Sequence, residues 1–184
     1  MSGEPDDLEA DLAAYQRADA ARAASAGTDR QTTDRALVPL LWLIGRWRGE
    51  GVASGSLAGG GPDLPVTLEV AFASDGGPHL RYDGRVLVGQ RVLSTETGYW
   101  RPTATGVEVV LAHPGGTVEV YVGTPASTRV ELATDLVART ATGTPDTASR
   151  RLYGLVEGRL LYAVDVATGG APLASRVSGA LDRA

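Results

Sequence analysis

The stretch Gly45-Arg46-Trp47-Arg48-Gly49-Glu50-Gly51 decides how this chain folds. It follows an apolar run, Leu37-Val38-Pro39-Leu40-Leu41-Trp42-Leu43-Ile44. Side chains alternate across a strand, so Gly45, Trp47, Gly49 and Gly51 share one face while Arg46, Arg48 and Glu50 take the other. One indole is thus flanked by positions without a side chain. The pattern suits a strand that bends sharply or passes close to another backbone, as the closing strand of a barrel must.

Downstream, Val66 to Phe72 alternates cleanly, with Val66, Leu68, Val70 and Phe72 on one face. Leu80 to Val88 contains Asp83-Gly84, which reads either as a turn or as a bulge inside a longer strand. Strand-like segments follow at 91–101, 106–112, 117–122, 128–133, 136–142, 151–156, 160–166 and 173–181, with Glu157-Gly158 marking a compact hairpin. No helical periodicity lies between them. Roughly ten strands with short connections predict an all-β, antiparallel up-and-down barrel over residues 37–184, because a sheet of this size must close or split.

Residues 1–36 read as an appended, partly helical extension. Leu8, Leu12 and Tyr15 fall at helical spacing, and Gly27-Thr28-Asp29 ends the pattern. This segment holds eight acids against four arginines, whereas the rest holds fourteen acids against thirteen arginines. The predicted barrel is therefore nearly neutral, which argues against a nucleic-acid footprint. Among the 184 residues there is no cysteine and no lysine, so disulfides, thiolate nucleophiles and Schiff-base chemistry are excluded. No apolar run of about 18 residues suggests a membrane span, and no secretory signal is visible, so the expected compartment is cytoplasmic.

Barrels of this size enclose a cavity fit for one small apolar ligand. Catalytic groups are scarce. The two histidines, His79 and His113, lie far apart in sequence, without local ligand spacing, and no Gly-x-Ser-x-Gly element precedes a helix. Glu131 and Asp135 read as solvated strand-edge acids. His79 follows a turn and is expected to be exposed. His113, before Pro114-Gly115-Gly116, is expected at a strand end near the barrel opening, its ring bonded to turn backbone, and is the candidate pocket residue.

Taken together, these residues resemble the nitrobindin family of haem-binding β-barrels, related in fold to fatty-acid-binding proteins and lipocalins. The resemblance rests on Gly45-x-Trp47-x-Gly49-x-Gly51, then Gly98-Tyr99-Trp100-Arg101, Leu111-Ala112-His113-Pro114 and Glu119-Val120. It continues through Glu131 to Asp135, Thr140-Ala141-Thr142, Arg151-x-Tyr153, Leu161-Tyr162 and Pro172-Leu173. It implies ferric haem b, NO binding and isomerisation of peroxynitrite to nitrate, dependent on an axial histidine in the last strand. That histidine's position is held here by Arg176, whose guanidinium has no lone pair for iron. The resemblance also implies that Arg46 and Thr144 occupy haem-proximal positions where members carry Thr and Lys.

Two registers are open for the last strand. The register implied by the resemblance is preferred and turns Arg176 inward with Ala174, Ser178 and Ala180. Pure alternation instead places Leu173, Val177 and Leu181 inside and Arg176 in solvent. The resulting expectation is a nitrobindin-like barrel without an axial histidine, with no catalytic residue, no metal and no cofactor. It would take a small apolar or anionic ligand that Arg176 could hold, and no nucleic acid or membrane. Haem b held through a replacement ligand, His113 or Tyr99, with peroxynitrite isomerisation, is the alternative. A non-catalytic interaction module using residues 1–36 is a third. The assembly state is open, a dimer being one option.

Overall fold

The structure, a computed structural model, describes residues 34–184. The helical reading of residues 8–24 lies outside the described residues. Ten antiparallel strands make one closed barrel: β1 (Gly45–Ala53), β2 (Leu64–Ala73), β3 (Leu80–Val88), β4 (Arg91–Pro102) and β5 (Val107–His113), then β6 (Thr117–Ala126), β7 (Arg129–Arg139), β8 (Asp146–Val156), β9 (Arg159–Thr168) and β10 (Ala174–Arg183). Each strand pairs with its sequence neighbours, and β10 closes on β1.

Some boundaries differ from the sequence reading, for local reasons. Segments 128–133 and 136–142 belong to one strand, β7, interrupted only by a bulge at Asp135. Val120 there faces Leu136, while Tyr121 faces Thr134. Asp83-Gly84 is neither turn nor bulge, since both residues stand in regular register, opposite Thr97 and Glu96. A methyl on Gly84 would lie 2.7 Å from the Tyr82 hydroxyl and 3.0 Å from Glu96 Cγ, so this glycine makes room for two buried polar groups.

The apolar run before β1 forms a 3₁₀ helix, Arg35–Leu43, not a strand. Its buried residues, Leu37, Leu40 and Leu43, recur every third position, the repeat of a 3₁₀ helix. Asp34 caps it by accepting from the Ala36 amide at 2.8 Å. The helix plugs one end of the barrel, where the Trp47 indole donates to the Leu43 carbonyl at 2.8 Å. The Arg183 guanidinium lies 4.3 Å from the Trp47 ring centroid and donates to the Ile44 carbonyl at 2.6 Å. Deeper in, Trp100 meets Tyr153 edge-on at 5.0 Å and Phe72 at 5.3 Å, which fills this end with aromatic rings.

The glycines of β1 act at the seam. A methyl on Gly49 would run into the Ala180 carbonyl, and one on Gly51 would stand 2.7 Å from Leu68 Cδ1. Their absent side chains let β10 cross close to β1.

The register question in β10 is settled by a bulge. Ser175 faces Asp165 and Val177 faces Val164, so Arg176 is an extra residue without a partner. Alternation holds from Val177 to Leu181, both buried, yet Arg176 also reaches the interior. Arg176 thus faces inward as the resemblance implies, whereas Val177 and Leu181 are inside as alternation implies and Ala174 is exposed. Ser178 and Ala180 are only half-buried, and Leu173 is exposed. No helix among the described residues is long and apolar enough to cross a membrane.

Candidate functional site

Above the aromatic end the interior turns polar. Thr117, Glu119 and Tyr121 on β6 point inward while Val118, Val120 and Val122 point out, the reverse of what hydrophobic alternation suggests. Ser149, Arg151 and Tyr153 face inward from β8, and all three are buried. Arg151 is the hub. Its two terminal nitrogens grip both oxygens of Glu96 at 2.7 Å each, and Nη2 also reaches Glu119 at 3.2 Å. Its Nε donates to the Tyr121 hydroxyl at 2.7 Å, and that hydroxyl donates to Glu119 at 2.7 Å. The Tyr82 hydroxyl donates to Glu96 at 2.6 Å, and the Tyr162 hydroxyl donates to Glu96 at 3.3 Å.

This belt satisfies its charges internally. Burial alone would raise the Glu96 carboxyl, but the charge and hydrogen bonds of Arg151, with help from His113 and Tyr82, hold it down to about 2. Glu119 is likewise lowered against its burial, by His113, Arg151 and Tyr121. Burial pushes the hydroxyls of Tyr82, Tyr121, Tyr153 and Tyr162 up, so these phenols stay neutral donors. The sequence reading did not find the belt, although Glu119-Val120 and Arg151-x-Tyr153 were visible as motifs. The available signal was an acid, an arginine and tyrosines at alternate positions within β-type segments.

Beyond the belt lies a cavity of about 530 Å³. Val70, Val86, Leu93, Val164, Val166 and Val177 make its apolar wall, and Glu96, Glu119 and Arg151 belong to its polar side. It lies toward the end where strands part. The β4–β5 ladder begins only at Thr97, and the β7–β8 ladder stops at Ala133 and Arg150. Toward this end Arg176 Nη2 donates to Asp146 at 3.0 Å and to the Thr168 hydroxyl at 3.1 Å. Thr168 donates to the same Asp146 oxygen at 2.6 Å. Arg176 Nε and Nη1 have no partner among the described residues.

The residues singled out in the sequence separate into three groups. Arg176, Thr144 and His113 all line the cavity. Thr144 lies 2.8 Å from the Thr117 hydroxyl and donates to Asp146 at 3.3 Å. His113 is bonded not to turn backbone but to a carboxylate: Nε2 stands 2.8 Å from Glu119, and Nδ1 3.8 Å from Glu96. Gly45, Trp47, Gly49 and Gly51 build the closed end and the seam and stay outside the cavity lining, as does Arg46, exposed on the outer face of β1. Tyr99 is 54% exposed and faces outward, so it offers no replacement ligand. His79 is half-buried, its ring 3.2 Å from Asp75 and 5.4 Å from that of Tyr99.

A closed ten-stranded barrel with a valine-walled cavity above a charge-paired belt defines a small-ligand-binding β-barrel. The chain belongs to the THAP4-like, heme-binding β-barrel domain family, the nitrobindin type, whose model matches residues 36–183. It is 44% identical over 177 residues to a ferric nitrobindin-like protein of Kineococcus radiotolerans, covering 84% of this chain and 96% of that one. It is 43% identical over 183 residues to a peroxynitrite isomerase of Frankia casuarinae, covering 89% and 95%. The crystal structure of Rv2717c from M. tuberculosis superposes with a TM-score of 0.73 at 31% identity, covering 83% of this chain and 99% of that one.

The family corrects one expectation. A barrel without a cofactor was expected because position 176 is arginine, but this is a haem-binding domain family with peroxynitrite isomerases among the relatives, which points to haem b. The pocket fits the organic part of that group. Its volume lies in the ordinary range for ligand sites, one wall is branched aliphatic, and a guanidinium with donors unpartnered among the described residues stands within the lining. For iron, the nitrogen donor in the lining is His113 rather than position 176.

Proposed function

We propose that this barrel binds haem b in the cavity above the Arg151 belt, with a propionate held by Arg176. The observation that carries the reading is the β10 bulge. It delivers a guanidinium, two of whose nitrogens have no partner among the described residues, to a pocket of about 530 Å³ with a valine-rich wall and a polar side. Either nitrogen can give a charge-assisted hydrogen bond to a carboxylate. Asp146 and Thr168 both accept from Nη2 and so fix the direction of the guanidinium. Val70, Val86, Val164, Val166 and Val177 would cover the ring faces and exclude water. Haem bound there supplies an iron centre for small ligands such as NO. In this reading affinity rests on apolar contact and carboxylate pairing rather than on a bond from position 176.

A second reading, isomerisation of peroxynitrite, is the activity that several relatives' names carry. It is favoured by His113, whose Nε2 would have to leave Glu119 to serve as a replacement ligand. One titration series separates the two. The purified protein is titrated with ferric haem and with metal-free protoporphyrin IX, following absorption and tryptophan quenching. The expected result is stoichiometric binding of both with affinities within about tenfold. Arg176→Met should weaken both by about tenfold or more, the worth of a charge-assisted pair. Loss of haem but not porphyrin affinity in His113→Ala favours the second reading, and failure of both ligands to bind overturns the first.

A further inference from the structure

Strands β1 and β2 are joined by residues 54–63, which fold into a compact loop pinched at its neck. The Gly60 amide donates to the Gly55 carbonyl at 2.8 Å, and a methyl on Gly55 would run into the Gly61 carbonyl. Beyond the neck, Gly55–Ala58 makes one 3₁₀ turn. There the Leu57 amide donates to the Ser54 carbonyl at 3.0 Å, and the Ser56 amide to the Ser54 hydroxyl at 3.2 Å. Gly59, Gly60 and Gly61 return the chain with φ of 94°, 121° and 100°, a path that side chains resist. The loop is thus braced within itself. Its attachments to the barrel are few. Among the described residues, and outside the strand ladders, one hydrogen bond joins residues 54–61 to the barrel, from the Ser54 amide to the Arg176 carbonyl at 2.9 Å. Ser56, Ala58, Gly59 and Gly60 are exposed. Leu57 is the side chain of the tip that turns in, half-buried against the core, and with Ser56 and Gly59 it belongs to the cavity lining.

We propose that the β1–β2 loop is a lid over the cavity, which swings as a unit about the Ser54–Arg176 bond and is latched by Leu57. A segment that is stiff inside, hydrogen-bonded to the barrel at its root and held at its tip by one aliphatic side chain opens at lower free energy than the strands it joins. Open, the lid admits a ligand to the valine wall. Closed, it sets Leu57 over the cavity and keeps water out. Its root is bonded to the bulge residue whose guanidinium reaches the cavity, so pivot and cation share one backbone position. The motion does not depend on which ligand the cavity takes.

The test exploits a chain without cysteine, in which one introduced thiol reports on its own site. Val177→Cys places it in the cavity lining and Val109→Cys in the plugged end, both at positions no more than 4% exposed. Each is made in the full chain with and without Leu57→Ser. Labelling is followed with a small reagent, methyl methanethiosulfonate, and with a bulky one, dithionitrobenzoate. Leu57→Ser should speed labelling of Val177→Cys about tenfold or more, in the same proportion for both reagents, and change that of Val109→Cys by less than about twofold. A rate at position 177 that Leu57→Ser leaves unchanged overturns the proposal, because Leu57 is then no latch. A gain confined to the small reagent also overturns it, since that describes a fixed gap left by the missing side chain. An equal gain at both positions does so too, as loosening of the whole barrel.

Discussion

At the residue scale the barrel depends on Arg151, and the consequence shows in acid. Glu96 has its pKa lowered from 4.5 to about 2, so the folded state resists the proton that the unfolded chain accepts. The stabilisation is therefore complete above about pH 5 and is lost as pH falls from there toward 2, with Glu119 adding the same sign. A shift of this size corresponds to about 3 kcal/mol. Glu96→Gln keeps the shape and an acceptor for Tyr82 but removes the titrating charge. Urea unfolding at pH 7, 5, 4 and 3 should show the variant weaker by roughly 3 kcal/mol at pH 7 and flatter in acid. A variant that loses stability in acid as steeply as wild type would show that Glu96 is not the group responsible. None of this was legible in the sequence, where Glu96 lies in an unremarkable Ser-Thr-Glu-Thr run and its partner is 55 residues away.

At the element scale, what could be read depended on whether a strand follows period two. β2 does, and its inward face was read correctly. β1 was read from its glycines, and the seam bears that reading out. β6 and β8 invert the hydrophobic pattern because their inward residues serve the polar belt, so alternation suggests the wrong side. β10 breaks the period with one extra residue, and no count of alternating positions finds an insertion whose evidence is pairing with β9. The 3₁₀ helix was missed although Leu37, Leu40 and Leu43 spell its period of three. The seam carries its own prediction. Gly49→Ala places a methyl against the Ala180 carbonyl, forcing β1 and β10 apart or bending one of them. The expected loss is about 1–3 kcal/mol in urea unfolding, the usual cost of overpacking. An unchanged midpoint would mean that the seam is looser than its geometry indicates.

At the scale of the molecule the barrel is built in three layers, and they differ in how firmly the backbone is held. The plugged end has ladders on both sides of its strands and an aromatic filling. The belt ties β4, β6 and β8 together through Arg151. At the other end residues 91–96 of β4 lack β5, and residues 135–139 of β7 lack β8, so each ladder there is one-sided. One-sided ladders open at lower free energy than the core. Hydrogen exchange should therefore be slowest at Trp47, Tyr82 and Val109 and fastest, by at least a hundredfold, along 91–96 and 135–148. The cavity lies against that looser end, with Leu93, Glu96, Thr144 and Asp146 in its lining, so a ligand that fills it should tighten those segments more than the plug. At a hundredfold excess over its dissociation constant a ligand adds about 2.7 kcal/mol to global stability. Protoporphyrin IX should concentrate its added protection in 91–96 and 135–148, where local opening and ligand contact coincide. Protection gained evenly over the whole barrel would indicate binding that stabilises only against global unfolding, and protection confined to the outer face of β4–β7 would place the porphyrin on the surface instead of inside.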